Sequence, residues 1–204
     1  MAISGVVLAG FVIAHLAGNL QIFLGPDAFN RYARTLRGLP ALVWATRTIV
    51  IVAALLHIRS SLQLAVLRSD ARPVGYARKR SAGSTYASRT MYFSGPIVLV
   101  FVIYHLMQFT YGVGGTPYDE FDAYGNVIYG FRVPVVAAFY ILAMVLLCLH
   151  LRHGLWSMFQ TLGFYHPRYT PRVRLVASLA ALLIFIGFVS IPVAVLAGVI
   201  GRTV

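Results

Sequence analysis

Five apolar runs, each about as long as a hydrocarbon core is thick, leave this chain little choice of environment. They lie at roughly Ala2 to Leu24, Ala41 to Leu67, Met91 to Val113, Val133 to Phe159 and Val173 to Ile200, and about 20 apolar residues suffice for one helical crossing. In the bilayer interior every backbone polar group must be satisfied within the segment, which makes these runs helices. The expected fold is therefore an all-α integral membrane protein of five transmembrane helices, forming one domain over residues 1–204. The first four are expected to form an up-down-up-down bundle with short loops. No tandem repeat or low-complexity tract is expected. The first span is read as a retained helix, since neither a basic leader nor a small-residue cleavage site precedes it.

A formal net charge of +12 would suggest nucleic acid in a soluble protein. Here the cations gather between spans, as the positive-inside rule requires, and no nucleic-acid partner is expected. Arg68, Arg72, Arg78, Lys79, Arg80 and Arg89 stand against Asp70 after the second run, and Arg152, Arg168, Arg172 and Arg174 follow the fourth. These loops are assigned to the cytoplasm. Asp119, Glu120 and Asp122 accompany only Arg132 between runs three and four, which puts that loop outside. The amino terminus is then cytoplasmic and the carboxyl terminus external. The outer loop containing Arg31, Arg34 and Arg37 departs from this pattern, so either an anionic group or lipid headgroups must account for it.

Each of the first four spans carries one central histidine: His15, His57, His105 and His150. Ionisable groups at membrane depth are costly and point to function. His15 precedes Leu24 by nine residues and His105 precedes Val113 by eight, so both lie about 12 to 14 Å below the outer ends at 1.5 Å per residue. His57 follows Ala41 by 16 residues and His150 follows Val133 by 17, about 24 to 26 Å from those ends. Two same-level pairs result, about 10 Å apart along the membrane normal. In a sequential four-helix bundle each pair is also diagonal, and two opposed imidazoles are the axial set of a b-type haem. Two haems b are the expected cofactors, with His57 and His150 on the inner one and His15 and His105 on the outer one.

The other polar residues add less. The repeated His-x-Arg places Arg59 and Arg152 two residues beyond the inner histidines, where propionate contact and snorkelling to headgroups both fit. Arg31 and Arg37 have the same two readings at the outer side. Cys148, alone in its span, is a small packing residue. Gly5, Gly10 and Gly18 allow close approach of a helix or of a flat ligand. His153 and His166 are assigned to the surface. Absence of any carboxylate within the spans argues against a proton pump or cation symporter, whereas electron transfer between a cytoplasmic donor and a membrane-soluble carrier needs none.

HLAGNLQIFLGPDAFNRYARTLR at the end of span one and LHLRHGLWSMFQTLG in span four, together with the order of the histidines, resemble the cytochrome b558 family, the five-helix membrane subunit of succinate dehydrogenase and fumarate reductase. The resemblance implies flavoprotein and iron-sulfur partners on the cytoplasmic face and electron exchange with a quinone, commonly menaquinone. It assigns His57 and His150 to the proximal haem and His15 and His105 to the distal one. Flavin chemistry and the dicarboxylate belong to a partner subunit. Ser60, Ser61, Trp156 and Gln160 offer an inner quinone lining, and Asn30, Arg31 and Tyr32 an outer one, with structural roles open for each. Two alternatives stand beside this reading: the cytochrome b subunit of a hydrogenase or formate dehydrogenase, and a haem-free anchor or transporter whose histidines pack helices.

Overall fold

The structure, a computed structural model, describes residues 1–71 and 86–201. The expected positive charges at Arg72, Arg78, Lys79 and Arg80, and the side chain of Arg89, lie outside the described residues. Among those described there are seven α-helices and no strand: α1 (Ala2–Asn19), α2 (Pro26–Arg37), α3 (Pro40–Asp70), α4 (Tyr86–Phe109), α5 (Ala123–Arg132), α6 (Pro134–Thr161) and α7 (Thr170–Leu196). A 3-10 turn, Leu20–Leu24, extends α1.

Four of these are long and apolar enough to cross a membrane: α1 with its 3-10 extension, α3, α6 and α7. The expected third crossing falls on α4, whose described apolar stretch is the shorter Phe93–Phe109. Prolines set the starts of α2, α3, α6 and α7, each at the first or second position, where the missing N–H costs no helical hydrogen bond.

Two connections expected as loops are helices. In α2, Asp27 occupies the first turn and Arg34 and Arg37 the last, a charge order that complements the helix dipole. Asp122 caps α5, its side chain accepting from the Gly125 amide at 2.9 Å. Short amphipathic helices were hidden by their polar residues, which resemble loop composition when tertiary packing is not in view.

A repeat, not expected from the sequence, organises the first six helices. Long helix, short helix, long helix occurs twice, as α1–α2–α3 and α4–α5–α6. The first helices align without a gap: SGVVLAGFVIAHL from Ser4 and SGPIVLVFVIYHL from Ser94 share seven of thirteen residues. The closing helices share Leu-His-x-Arg, at Leu56 to Arg59 and Leu149 to Arg152. Ninety residues separate Ser4 from Ser94, and the intervening positions have diverged, which is why local pattern reading passes over the repeat.

Packing centres on α6, which lies against α7, α4 and α1, while α3 packs on α1 and α2. Among the described residues α3 and α4 share no substantial contact, so the ring of four helices is open along that seam. The main core sits at the end bearing α2 and α5, the end that the loop charges lead one to expect outside and that is called the outer end below. There Ile22, Phe29, Phe101, Ile128, Phe131 and Tyr140 are buried together. A second cluster joins Ala9, Cys148, Leu151, Ala181 and Ile184 across α1, α6 and α7, so Cys148 fills space between helices.

Candidate haem-binding bundle

Polar side chains hold the outer end together. Asn30 on α2 donates to Asp122 at 2.8 Å and accepts from the Tyr124 amide at 2.9 Å. Asn126 accepts from the Asp119 amide at 2.8 Å and donates back to its carbonyl at 2.7 Å. Arg37 donates to the Glu120 carbonyl and lies over the Phe121 ring at 5.6 Å. The Asn30 amide and the Arg37 guanidinium thus join α2 to the segment before α5. Arg31 is exposed on α2, and Tyr32 packs its hydroxyl against Gly18. Arg132 reaches the Gly201 carbonyl, and Gly201 donates to the Tyr124 hydroxyl at 3.2 Å.

Below this clasp the four histidines meet in two pairs. The His15 and His105 ring centres are 5.7 Å apart, and those of His57 and His150 are 6.2 Å apart. Among the described residues the helices of each pair, α1 with α4 and α3 with α6, share no substantial contact. Imidazoles thus bridge the bundle where backbones stand apart.

The separations can be tested against the proposed ligand set. A metal–imidazole bond of about 2 Å, with the ring centre roughly 1 Å beyond the nitrogen, places two opposed axial rings about 6 Å between centres. Both pairs fit. Among the described residues no further His, Cys, Asp or Glu joins either pair to make a group of three suited to a metal ion.

The second nitrogens fit as well. His57 Nδ1 lies 3.3 Å from the Ser4 hydroxyl, His150 Nδ1 lies 3.3 Å from that of Ser94, and His105 Nδ1 lies 3.4 Å from that of Tyr140. In three of four histidines the Nδ1 atom is thereby engaged, leaving Nε2 for a ligand, the usual division of labour in metal-bound imidazole. Tyr140 also donates to Gln108 Oε1 at 2.8 Å. Gln108 is only 2% exposed, and its Nε2 is without a hydrogen-bond partner. Phenylalanines flank the outer pair at matched positions, Phe11 at 5.5 Å from His15 and Phe101 at 5.9 Å from His105.

Ser4, Ser94, Tyr140 and Gln108 did not emerge from sequence reasoning. The repeated Ser-Gly, eleven residues before His15 and before His105, carried the signal for the two serines. Because Ser4 stands level with His57 and Ser94 with His150, the two histidine levels are about 16 Å apart along the helices. The expected 10 Å was too short. It assumed that all spans end at one height, but α1 continues through its 3-10 turn whereas α4 stops at Phe109.

Arg59 is exposed on α3 near Leu55 and Leu62, and Ser60 donates to the Leu56 carbonyl at 2.8 Å. Ser61 and Gln160 are exposed. Arg152 donates to Ser178 at 3.0 Å, which ties α6 to α7. Trp156 is half-buried, with the Arg174 guanidinium 4.1 Å from its ring centre and His153 edge-on at 6.2 Å.

Residues 68–189 match the family described as the succinate dehydrogenase/fumarate reductase transmembrane subunit. That stretch includes His105 and His150 but begins after His57. Over 188 residues the chain is 26% identical to the succinate dehydrogenase cytochrome b558 subunit of Bacillus subtilis, covering 89% of this chain and 85% of that protein. No solved structure gives a significant match.

Proposed function

The chain belongs to the succinate dehydrogenase/fumarate reductase transmembrane subunit family, and from that premise we propose that it is a dihaem cytochrome b working between an iron-sulfur partner and a quinone. The observation that carries this is the pairing of four half-buried histidines across the bundle, at ring separations of 5.7 and 6.2 Å. His57 and His150 would hold one haem b, and His15 and His105 the other. Bound there, haem b supplies one-electron redox chemistry.

The remaining residues serve that assignment. The hydroxyls at Nδ1 orient three of the imidazoles, and apolar walls from Phe11, Phe101 and Phe188 surround the outer pair. With α4 as the fifth crossing, the amino terminus is cytoplasmic and the α6–α7 connection faces the iron-sulfur and flavoprotein subunits. Arg168, Arg172 and Arg174 there form a basic docking surface. Succinate or fumarate is handled by the flavoprotein, and menaquinone is the proposed membrane carrier, as the family resemblance implies.

A reduced-minus-oxidised spectrum of the purified complex, combined with a haem-to-chain ratio, tests the reading. A ratio near two with b-type absorbance is expected. Absence of that absorbance refutes it.

A further inference from the structure

Ser4 and Ser94 occupy equivalent places in the two halves, and their hydrogen bonds have a direction. Ser4 donates its single hydroxyl proton to the Met1 carbonyl at 2.9 Å, and Ser94 donates to the Met91 carbonyl at 3.5 Å. Each oxygen is left with lone pairs only. With their protons so directed, the serine oxygens are placed to accept from an imidazole Nδ1–H across the 3.3 Å contacts to His57 and His150. An imidazole that donates from Nδ1 keeps its lone pair on Nε2, the nitrogen a metal would take. Ser4 is 7% exposed and Ser94 is 0% exposed, so water does not compete for the contact.

The outer pair is built differently. His105 meets a phenol, Tyr140, whose proton is committed to Gln108, and position 47, the counterpart of Tyr140 ten residues before His57, is an arginine near Trp44. Matched serines thus belong to the inner pair alone.

We propose that Ser4 and Ser94 are paired positioning residues that set the electron-donating strength of His57 and His150, and so the reduction potential of the inner site relative to the outer one. This rests on the dihaem reading. An acceptor on Nδ1–H increases the basicity of Nε2 and favours the ferric state. Its removal raises the midpoint potential. Since the two serines act on opposite faces of one site from equivalent positions, their effects are expected to be similar in size and to add.

The test is a potentiometric titration of the full complex carrying Ser4→Ala, Ser94→Ala, both together, or Ser4→Thr, with the low-spin ferric electron paramagnetic resonance signals recorded alongside. Each alanine variant should shift the inner haem upward, the double variant by about the sum, with the outer haem unmoved. Threonine, which keeps a hydroxyl able to reach the carbonyl one turn back, should restore the unsubstituted potential and signal. An unmoved inner haem, or an equal shift of both haems, overturns the role of the serines while leaving the dihaem reading intact. If the alanine variants lose haem and threonine does not rescue it, the serines serve packing only and the proposal fails. Lack of b-type absorbance in the unsubstituted complex overturns the dihaem reading itself, and the serine role with it.

Discussion

Replacing Tyr140 with phenylalanine isolates one buried hydrogen bond at nearly constant volume. Tyr140 is 6% exposed and Gln108 is 2% exposed, and the hydroxyl between them donates to Gln108 Oε1 at 2.8 Å while lying 3.4 Å from His105 Nδ1. Tyr140→Phe leaves the Oε1 atom without this donor, in a side chain whose Nε2 already has no partner. Stranding a buried polar atom costs about 1 to 3 kcal/mol, and interhelical hydrogen bonds in membrane proteins fall at the lower end, about 0.6 to 2 kcal/mol. A loss of about 1 to 2 kcal/mol is expected, which on the scale of domains this size lowers the unfolding midpoint by roughly 2 to 8 °C.

Thermal unfolding in detergent, followed by circular dichroism, reads that loss, and a double-mutant cycle with Gln108→Leu assigns it. With the amide gone, Tyr140→Phe should cost about 1 kcal/mol less than in the unsubstituted chain, because no acceptor remains to be stranded. Equal costs in both backgrounds would refute the hydrogen-bond reasoning and place the effect of Tyr140 in its ring contacts with Phe101 and Phe131, at 5.1 and 5.0 Å.

Three further outcomes follow from the geometry. His57→Ala or His150→Ala should remove the inner haem and retain the outer, read as a haem-to-chain ratio falling from two toward one; equal loss of both haems from every assembled histidine variant would contradict the pairing. Asn30→Ala removes two hydrogen bonds between α2 and the start of α5 and should destabilise the outer clasp by about 1 to 3 kcal/mol, with faster amide exchange confined to α2 and α5. Gly18→Ala places a methyl group against the Tyr32 hydroxyl, so it should lower the unfolding midpoint, and Tyr32→Ala in the same chain should recover much of that loss.

Four of the five expected spans, and which histidines come together, were legible because hydropathy and helical rise are local properties: counting residues to His15 and His105, or to His57 and His150, needs no knowledge of neighbours. The outer clasp was not legible for the opposite reason. Asn30 contacts residues 92 and 94 positions away, and nothing near it in the sequence indicates that its amide will be used by α5. Arg37 stood out as an anomalous charge by the loop pattern, and its contacts with the Glu120 carbonyl and the Phe121 ring are again distant in sequence, so no local pattern announces them. Tyr140 lies among apolar residues and looks like any aromatic core position until α6 is set beside α4, which brings its hydroxyl to His105 and Gln108. Helix ends misled as well, since α1 outruns α4 at the outer side, and this compressed the expected distance between the two levels.

The eleven-residue interval from Ser4 to His15, and again from Ser94 to His105, makes each of these helices a ruler. Eleven residues turn through about three full revolutions, so both marks fall on one face and their separation is set by backbone hydrogen bonds alone. The connections that return the chain to α3 and α6 are then free to differ in length and sequence, as they do, without altering the distance between the levels. A one-residue insertion between the marks would rotate them apart by about 100° and spoil both levels together. Tolerance in the loops and intolerance within these two intervals are two sides of the same construction.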